Sequence, residues 1–328
     1  MIVTRTPLRI PLGGGGTDLP SYYQKHGGFL VSAAINKYVY IFLGSRFEES
    51  MRISYSTTEI VDAVDEIEHP IVREALKLTE LGPGLEIVSM ADMPANTGLG
   101  SSGSFTVGLL LALHTYKRET VSPQELAEEA FYIEAERLDE PVGKQDQYAA
   151  ALGGITRMKI DAEGCVDATR LKLRDDVIEQ LESDAMLFYT GIQRSASDVL
   201  DDQKNALSNG STMVADSLHT IKKIGQDIAR CLQEGDLIRF GELLHEHWEA
   251  KKGTSALISS SDVDRWYEIA RQSGAIGGKL MGAGGGGFFI FYCPNGHKAQ
   301  LRRAMIAEGL KEMRFAVDHD GSKVVVNI

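Results

Sequence analysis

Residues 93–104 read Met93-Pro-Ala-Asn-Thr-Gly-Leu-Gly-Ser-Ser-Gly-Ser104, a glycine–serine loop set between an apolar strand, Leu85–Met90, and an apolar helix. Glycine lets the backbone turn sharply and come close to an anion. The free N–H groups and positive dipole end of the following helix favour negative charge at the same point, so the loop is suited to a phosphate. The hydroxyls of Ser101 and Ser102 can cap that helix or ligate a metal. The helix is predicted over roughly Ser104–Lys117. It is apolar nearly all round (Phe105, Val107, Leu109, Leu110, Leu111, Leu113), too short to cross a bilayer, and reads as a buried core helix.

Three phosphate-loop patterns compete. The Walker A pattern is absent, because Gly278-Lys279 is followed by Leu280 and Gly143-Lys144 by Gln145. Gly98-Leu-Gly100-Ser-Ser-Gly103 fits the dinucleotide fingerprint, and Glu119 lies where the ribose acid would fall. However, a polar turn, Lys117–Pro123, stands where that fold needs a second apolar strand. The third pattern is Pro94-x3-Gly98-Leu99-Gly100-Ser101-Ser102. An ordinary glycine-rich turn would account for the loop if it stood alone.

Two more glycine clusters flank it. Pro7-Leu-Arg9-Ile-Pro-Leu-Gly-Gly-Gly15-Gly16-Thr17-Asp18 brings a cation, a flexible turn, a hydroxyl and a carboxylate together, a set suited to sugar hydroxyls. Lys279-Leu-Met-Gly-Ala-Gly284-Gly285-Gly-Gly-Phe288 opens a strand, Phe288–Tyr292. Both a hairpin with close backbone approach and a functional loop suit it.

In order and kind, the three clusters resemble those of the GHMP kinases, and the resemblance covers essentially the whole chain. It is closest to the D-glycero-D-manno-heptose 7-phosphate kinases, through Arg9-x3-Gly-Gly-Gly-Gly-Thr-Asp18 and Pro141-Val-Gly-Lys144-Gln-Asp146-Gln-Tyr-Ala149; galactokinases carry Glu-His before Thr-Asp. The resemblance implies an α+β, two-domain fold. Residues 1–180 would form a domain of the ribosomal protein S5 second-domain type, and 181–328 a ferredoxin-like domain. It implies ATP and Mg²⁺, and transfer of the γ-phosphoryl to the anomeric hydroxyl of a heptose 7-phosphate, giving the 1,7-bisphosphate. A kinase of another sugar and a sugar-sensing regulator are the alternatives.

The same resemblance distributes roles. Asp146 would orient or deprotonate the sugar hydroxyl, where a bare Asp at a helix start is ordinarily a cap. Arg9, with Lys144 as its rival, would stabilise the transferring phosphoryl. Ser102 and Glu134 would hold Mg²⁺; Glu136 is two residues away on the same helix and faces elsewhere. Pro94, Gly98, Leu99, Gly100, Ser101, Ser102 and Gly103, with Gly284 and Gly285, would seat the ATP phosphates. Gly15, Gly16, Thr17 and Asp18 would meet the sugar. Arg194, in Thr190-Gly-x-x-Arg194, would meet the sugar's own phosphate, although a surface arginine is the commoner case.

Composition sets the surroundings. With 34 basic and 46 acidic residues the net charge is −12, which argues against nucleic acid or an anionic membrane as partner. An anionic sugar phosphate must then be drawn by local cations. Cys165, Cys231 and Cys293 form no Cys-x-x-Cys pair and read as reduced thiols of a cytoplasmic protein. Nothing at Met1–Pro7 reads as a signal peptide, and a homodimer is left open.

Periodicity predicts strands near 2–12, 28–45, 50–55, 85–91 and 154–160, and helices near 70–81 and 123–137. Ser122-Pro-Gln-Glu125 is a capping box at the start of the second helix. Residues 161–183 are charged and loosely patterned and read as a boundary. Beyond them come a strand at 184–190, helices at 195–208, 212–234, 236–250 and 262–273, strands at 276–281 and 287–293, a helix at 296–308 and a strand at 313–318. Stripped of the inserted helices, that half is β-α-β-β-α-β, the ferredoxin-like order.

Overall fold

β1 (Ile2–Gly13) is buried along almost all of its length, because neighbouring elements cover both of its faces. Its prolines, Pro7 and Pro11, fall at the two register irregularities against the next long strand, where a missing N–H disturbs the ladder least. The chain continues through α1 (Pro20–His26), β2 (Gly28–Ser45), β3 (Met51–Ser54), β4 (Thr58–Val61), α2 (Pro70–Thr79) and β5 (Leu85–Ala91). It then enters α3 (Ser101–Lys117), α4 (Pro123–Phe131), α5 (Gln145–Leu152), β6 (Ile155–Ile160) and β7 (Val166–Arg170). The structure is a computed structural model and describes residues 1–193, 196–294 and 296–328.

α3 lies against β1 and β2 as a core helix, as its all-round apolarity predicts. Thr4 donates to the Gly108 carbonyl and Ser104 to that of Pro7, both at 2.8 Å. A side chain at Gly108 would collide with Thr6, so glycine sets how closely helix and strand pack. The helix begins at Ser101, earlier than its apolar run suggests, which brings both serines of the loop into its first turn.

The Ser122 capping box forms as predicted: Ser122 accepts from Glu125 N at 3.2 Å, and Glu125 accepts from Ser122 N at 2.8 Å. The helix it starts does not run evenly to residue 137. After Phe131 it widens into a π-type turn, Tyr132–Arg137, in which Leu138 N reaches back to Ile133 O at 3.1 Å. Such wide turns recur at functional sites.

Residues 161–183 are not a loose boundary. They hold β7 and α6 (Asp175–Asp184), an amphipathic helix that buries Val177 and Leu181. The second half then runs β8 (Ala185–Tyr189), α7 (Ala196–Ser208), α8 (Thr212–Glu234), α9 (Leu237–Lys252), α10 (Ser261–Gln272), β9 (Gly277–Leu280), β10 (Phe288–Tyr292), α11 (Lys298–Ala307) and β11 (Lys311–Met313). Its sheet has the order β11-β8-β10-β9, antiparallel throughout, which is the ferredoxin-like arrangement read from the sequence.

The strand predicted at 313–318 ends at Met313. Beyond it the chain crosses back: Val317 bridges Ile35, and β12 (Lys323–Asn327) pairs with β1. The first sheet therefore has the order β12-β1-β2-β5-β3-β4, with β6 on β2 and β7 on β6, and one cut near residue 180 does not divide the chain. One apolar core joins the halves, running from Leu8, Ile10 and Leu12 through Ile224 and Ile228 to Phe240 and Tyr292. No helix among the described residues is long and apolar enough to cross a membrane.

Candidate active site

The three glycine clusters converge on one cleft between the halves. Gly98 and Gly100 take positive φ (80° and 75°), which turns the loop into the start of α3. The third cluster docks on this loop. Gly282 lies against the Gly98 backbone and Gly287 against that of Thr97, closer than any side chain would permit.

Arg9 crosses beneath the loop. Its Nη1 donates to Gly98 O at 2.6 Å, and its backbone N–H donates to Leu99 O at 2.9 Å. Its Nε and Nη2 both reach Oδ1 of Asp146, each at 2.7 Å. Asp146 Oδ2 carries no hydrogen bond among the described residues and lies beside Gly100. The Asp146 side chain is 29% exposed against 6% for Arg9, so the carboxylate faces the cleft over a buried guanidinium.

Asp18 holds the start of α5, the helix that carries Asp146. Its Oδ1 accepts from Gly16 N and its Oδ2 from Gln145 N, both at 3.1 Å. Burial, with the Asp146 charge nearby, pushes its carboxyl above the ordinary range. Gly143 is glycine for the same reason: a side chain there would run into Asp18.

Glu134 projects from the π-type turn and is 2% exposed, whereas Glu136 is exposed. Ser102 Oγ donates to Glu134 Oε2 at 2.5 Å, and Gln147 Nε2 to Oε1 at 3.1 Å. Burial lifts the Glu134 carboxyl to about 7, and the Asp146 charge adds to the rise. A buried carboxylate short of a cation, beside a hydroxyl, is a donor set that fits Mg²⁺, which takes few protein oxygens and completes its shell with phosphate and water.

Several expected contacts fall elsewhere. The Lys144 ammonium lies under the Phe131 ring, 4.7 Å from its centroid, and donates to both Glu128 oxygens (2.8 and 2.7 Å) and to Gly164 O (2.8 Å). It is thus held away from the cleft. Thr17 is buried and spends its hydroxyl on Gly14 O and Phe29 O. Leu99 is buried in the core, and Gly103 is packed on Asp146. Pro94 is not at the wall. Gly284 and Gly285 also stand back from it, Gly285 N bonding Ile258 O, while Gly282 and Ala283 take their place. Arg194 lies outside the described residues.

The second half supplies residues that sequence reasoning missed: Gln203, His247, Lys251 and Lys279 all line the cleft. Lys279 and His247 are each 2% exposed. Lys251 donates to Leu280 O at 3.0 Å and Gly282 O at 2.6 Å. Burial pushes the Lys251 ammonium down to about 7, with the Arg9 charge adding, and holds Lys279 far below its usual range. Gln145 Nε2, Gln147 Oε1, Gln203 Nε2 and both His247 ring nitrogens are buried without a partner among the described residues. Buried polar atoms in native proteins are nearly always satisfied, so orphans gathered on one cleft mark where a polar ligand sits.

A helix start suited to a phosphate, beside a carboxylate held by an arginine, fits phosphoryl transfer to a small molecule. Family models agree: the GHMP kinases N terminal domain matches residues 56–154 and the GHMP kinases C terminal matches 228–311. The D-glycero-alpha-D-manno-heptose 7-phosphate kinase of Campylobacter jejuni is 30% identical over 98% of both chains. The chain belongs to the GHMP kinase family. It is a sugar kinase with the two-domain fold of that family, acting on a hydroxyl group. A galactokinase of Pyrococcus furiosus is 24% identical, covering 96% of this chain and 95% of its own. A crystal structure described as a D-glycero-D-manno-heptose 1-phosphate kinase from Bacteroides thetaiotaomicron superposes over 100% of both chains, with TM-score 0.83 and 25% identity.

Proposed function

We propose that the chain transfers the γ-phosphoryl of ATP to the anomeric hydroxyl of D-glycero-D-manno-heptose 7-phosphate. The observation that carries this reading is Asp146, held by Arg9 through Oδ1 alone, with Oδ2 open to the cleft beside the start of α3. The named activity of the Campylobacter jejuni relative supports the choice of sugar.

The ATP phosphates rest on Gly98, Gly100, Ser101 and Ser102, where the N–H groups of α3 are free. Asp146 Oδ2 accepts the proton of the anomeric hydroxyl as its oxygen bonds to the γ-phosphorus. The bond from that phosphorus to the β–γ bridging oxygen breaks, and ADP leaves. Arg9 faces the charge that spreads over the transferring group and fixes Asp146. Ser102 and Glu134 would hold Mg²⁺, which supplies charge neutralisation to the phosphates when bound. Gly15, Gly16 and Asp18 border the sugar.

The test is incubation with ATP, Mg²⁺ and the heptose 7-phosphate, followed by phosphorus NMR of the product. Two sugar phosphate signals, one of them anomeric, are expected. A new phosphate on any other carbon would overturn the assignment of the hydroxyl.

A further inference from the structure

Two lysines and a histidine line the cleft with no carboxylate paired to them among the described residues. Among the described residues neither Lys251 nor Lys279 pairs with a carboxylate, and Lys279 Nζ donates no hydrogen bond. Burying an ammonium without a partner is costly. The carboxylates that line the cleft are committed elsewhere. Asp18 accepts from Gly16 and Gln145, Asp146 is paired with Arg9, and Glu134 accepts from Ser102 and Gln147. The Arg9 charge also opposes both lysines. The cluster lacks an anion that the protein itself does not provide.

Two phosphates could provide it, that of the nucleotide and one already on the sugar. The nucleotide side has its own counter-charge in the start of α3, Arg9 and the Ser102–Glu134 pair. The lysines come from the other half of the chain, from the end of α9 and from β9. We propose that Lys279 and Lys251, with His247, form the subsite for the phosphate that the sugar substrate already carries. This rests on the reading of the chain as a kinase of a phosphorylated sugar. Lys251 spends two donors on carbonyls and keeps one, Lys279 keeps all of its own, and His247 has an unpartnered nitrogen on each side of its ring. A phosphate would also draw protons back onto amines that burial has made easy to deprotonate.

The subsite has a signature that a purely structural lysine would lack. Removing an unpaired buried charge should stabilise the empty protein while weakening the substrate. Lys279→Met and Lys251→Met should each raise KM for the heptose 7-phosphate about 10- to 100-fold, the range of a lost charge-assisted hydrogen bond. KM for ATP should stay within about twofold, and the ligand-free melting midpoint should rise. For the unmodified enzyme, the heptose 7-phosphate without nucleotide should raise the midpoint where the same heptose lacking phosphate does not, and inorganic phosphate should compete. If KM for ATP rises instead, the cluster serves the nucleotide and the proposal is overturned. If the sugar phosphate is a substrate and both variants keep its KM, the subsite falls and the functional reading survives. If the unmodified enzyme phosphorylates the neutral heptose and not its 7-phosphate, the functional reading itself falls.

Discussion

Asp146 differs from an ordinary helix cap in what surrounds it. Arg9 occupies one oxygen and leaves the other facing the cleft, so the carboxylate is both oriented and available. Asp146→Asn keeps the shape and loses the base. Turnover should fall about 10²- to 10⁴-fold with ATP binding preserved, and steady-state kinetics with nucleotide titration separates the two. For the metal, Ser102→Ala and Glu134→Gln should each raise the Mg²⁺ concentration giving half-maximal rate. Glu136→Ala should leave it unchanged, because Glu136 is exposed and Glu134 is buried against Ser102. A larger shift for Glu136→Ala would move the metal assignment by two residues. Lys251 gives a pH dependence. Its ammonium is held at about 7 in the fold against 10.5 for the free group, with Arg9, Lys279 and His247 the charged or titratable groups set against it. Between those values the unfolded chain binds the extra proton, so stability from this site rises as pH climbs through the window and is lost as pH falls towards 7. The gain in ligand-free melting midpoint from Lys251→Met should therefore be largest near pH 7 and shrink by pH 9. A gain that grew with pH would contradict this.

At the scale of elements, three loops set the geometry and each is short in backbone space. Gly282 takes φ 65°, and a Cβ there would lie 2.7 Å from Gly98 Cα. Gly282→Ala should force the third loop off the phosphate loop. KM for ATP should rise several-fold, and stability should fall by about 1–3 kcal/mol for the strained conformation and lost packing, read by denaturant titration. These loops were legible in the sequence because glycine and serine act locally: Gly98–Ser102 announces a turn and a helix start whatever surrounds it. The π-type turn was not legible. Residues 123–137 carry an unbroken helical pattern, and the widening that buries Glu134 follows from its packing against Ser102 and Gln147. Lys144 lies elsewhere than its motif suggests for a related reason. Its neighbours in sequence suggest the cleft, but Glu128, one helix earlier, takes its ammonium. Asp18 borders the cleft as its motif suggests, but its bond to Gln145 N, 127 residues away, lies beyond any local window.

The whole molecule is acidic, and its cleft sets Arg9, Lys251 and Lys279 beside Asp18, Glu134 and Asp146. Its net charge of −12 gives an anion no general attraction, so an anionic sugar would have to be drawn by the few cations enclosed in the cleft. That enclosure hid them from sequence reading. Lys251 ends an amphipathic helix and Lys279 follows Gly278 in a short strand, and the packing of α9 on β9, 28 residues apart in sequence at these positions, brings them together. The return of β12 to β1 was hidden in the same way, since its partners stand more than 300 residues apart. By contrast, the ferredoxin-like order of the second half stays legible although four helices stand between β8 and β9 where that order needs one, because its two central strands, β8 and β10, are compact apolar runs. On the function proposed above, this cleft takes a sugar that arrives already phosphorylated. The most direct measurement is kcat/KM, from ADP release, for D-glycero-D-manno-heptose 7-phosphate beside galactose, L-fucose and mannose. A site that offers unpaired buried cations to a neutral sugar should discriminate by about 10³-fold or more in favour of the phosphate. Comparable kcat/KM for galactose and the heptose 7-phosphate would contradict a site built for a phosphorylated sugar.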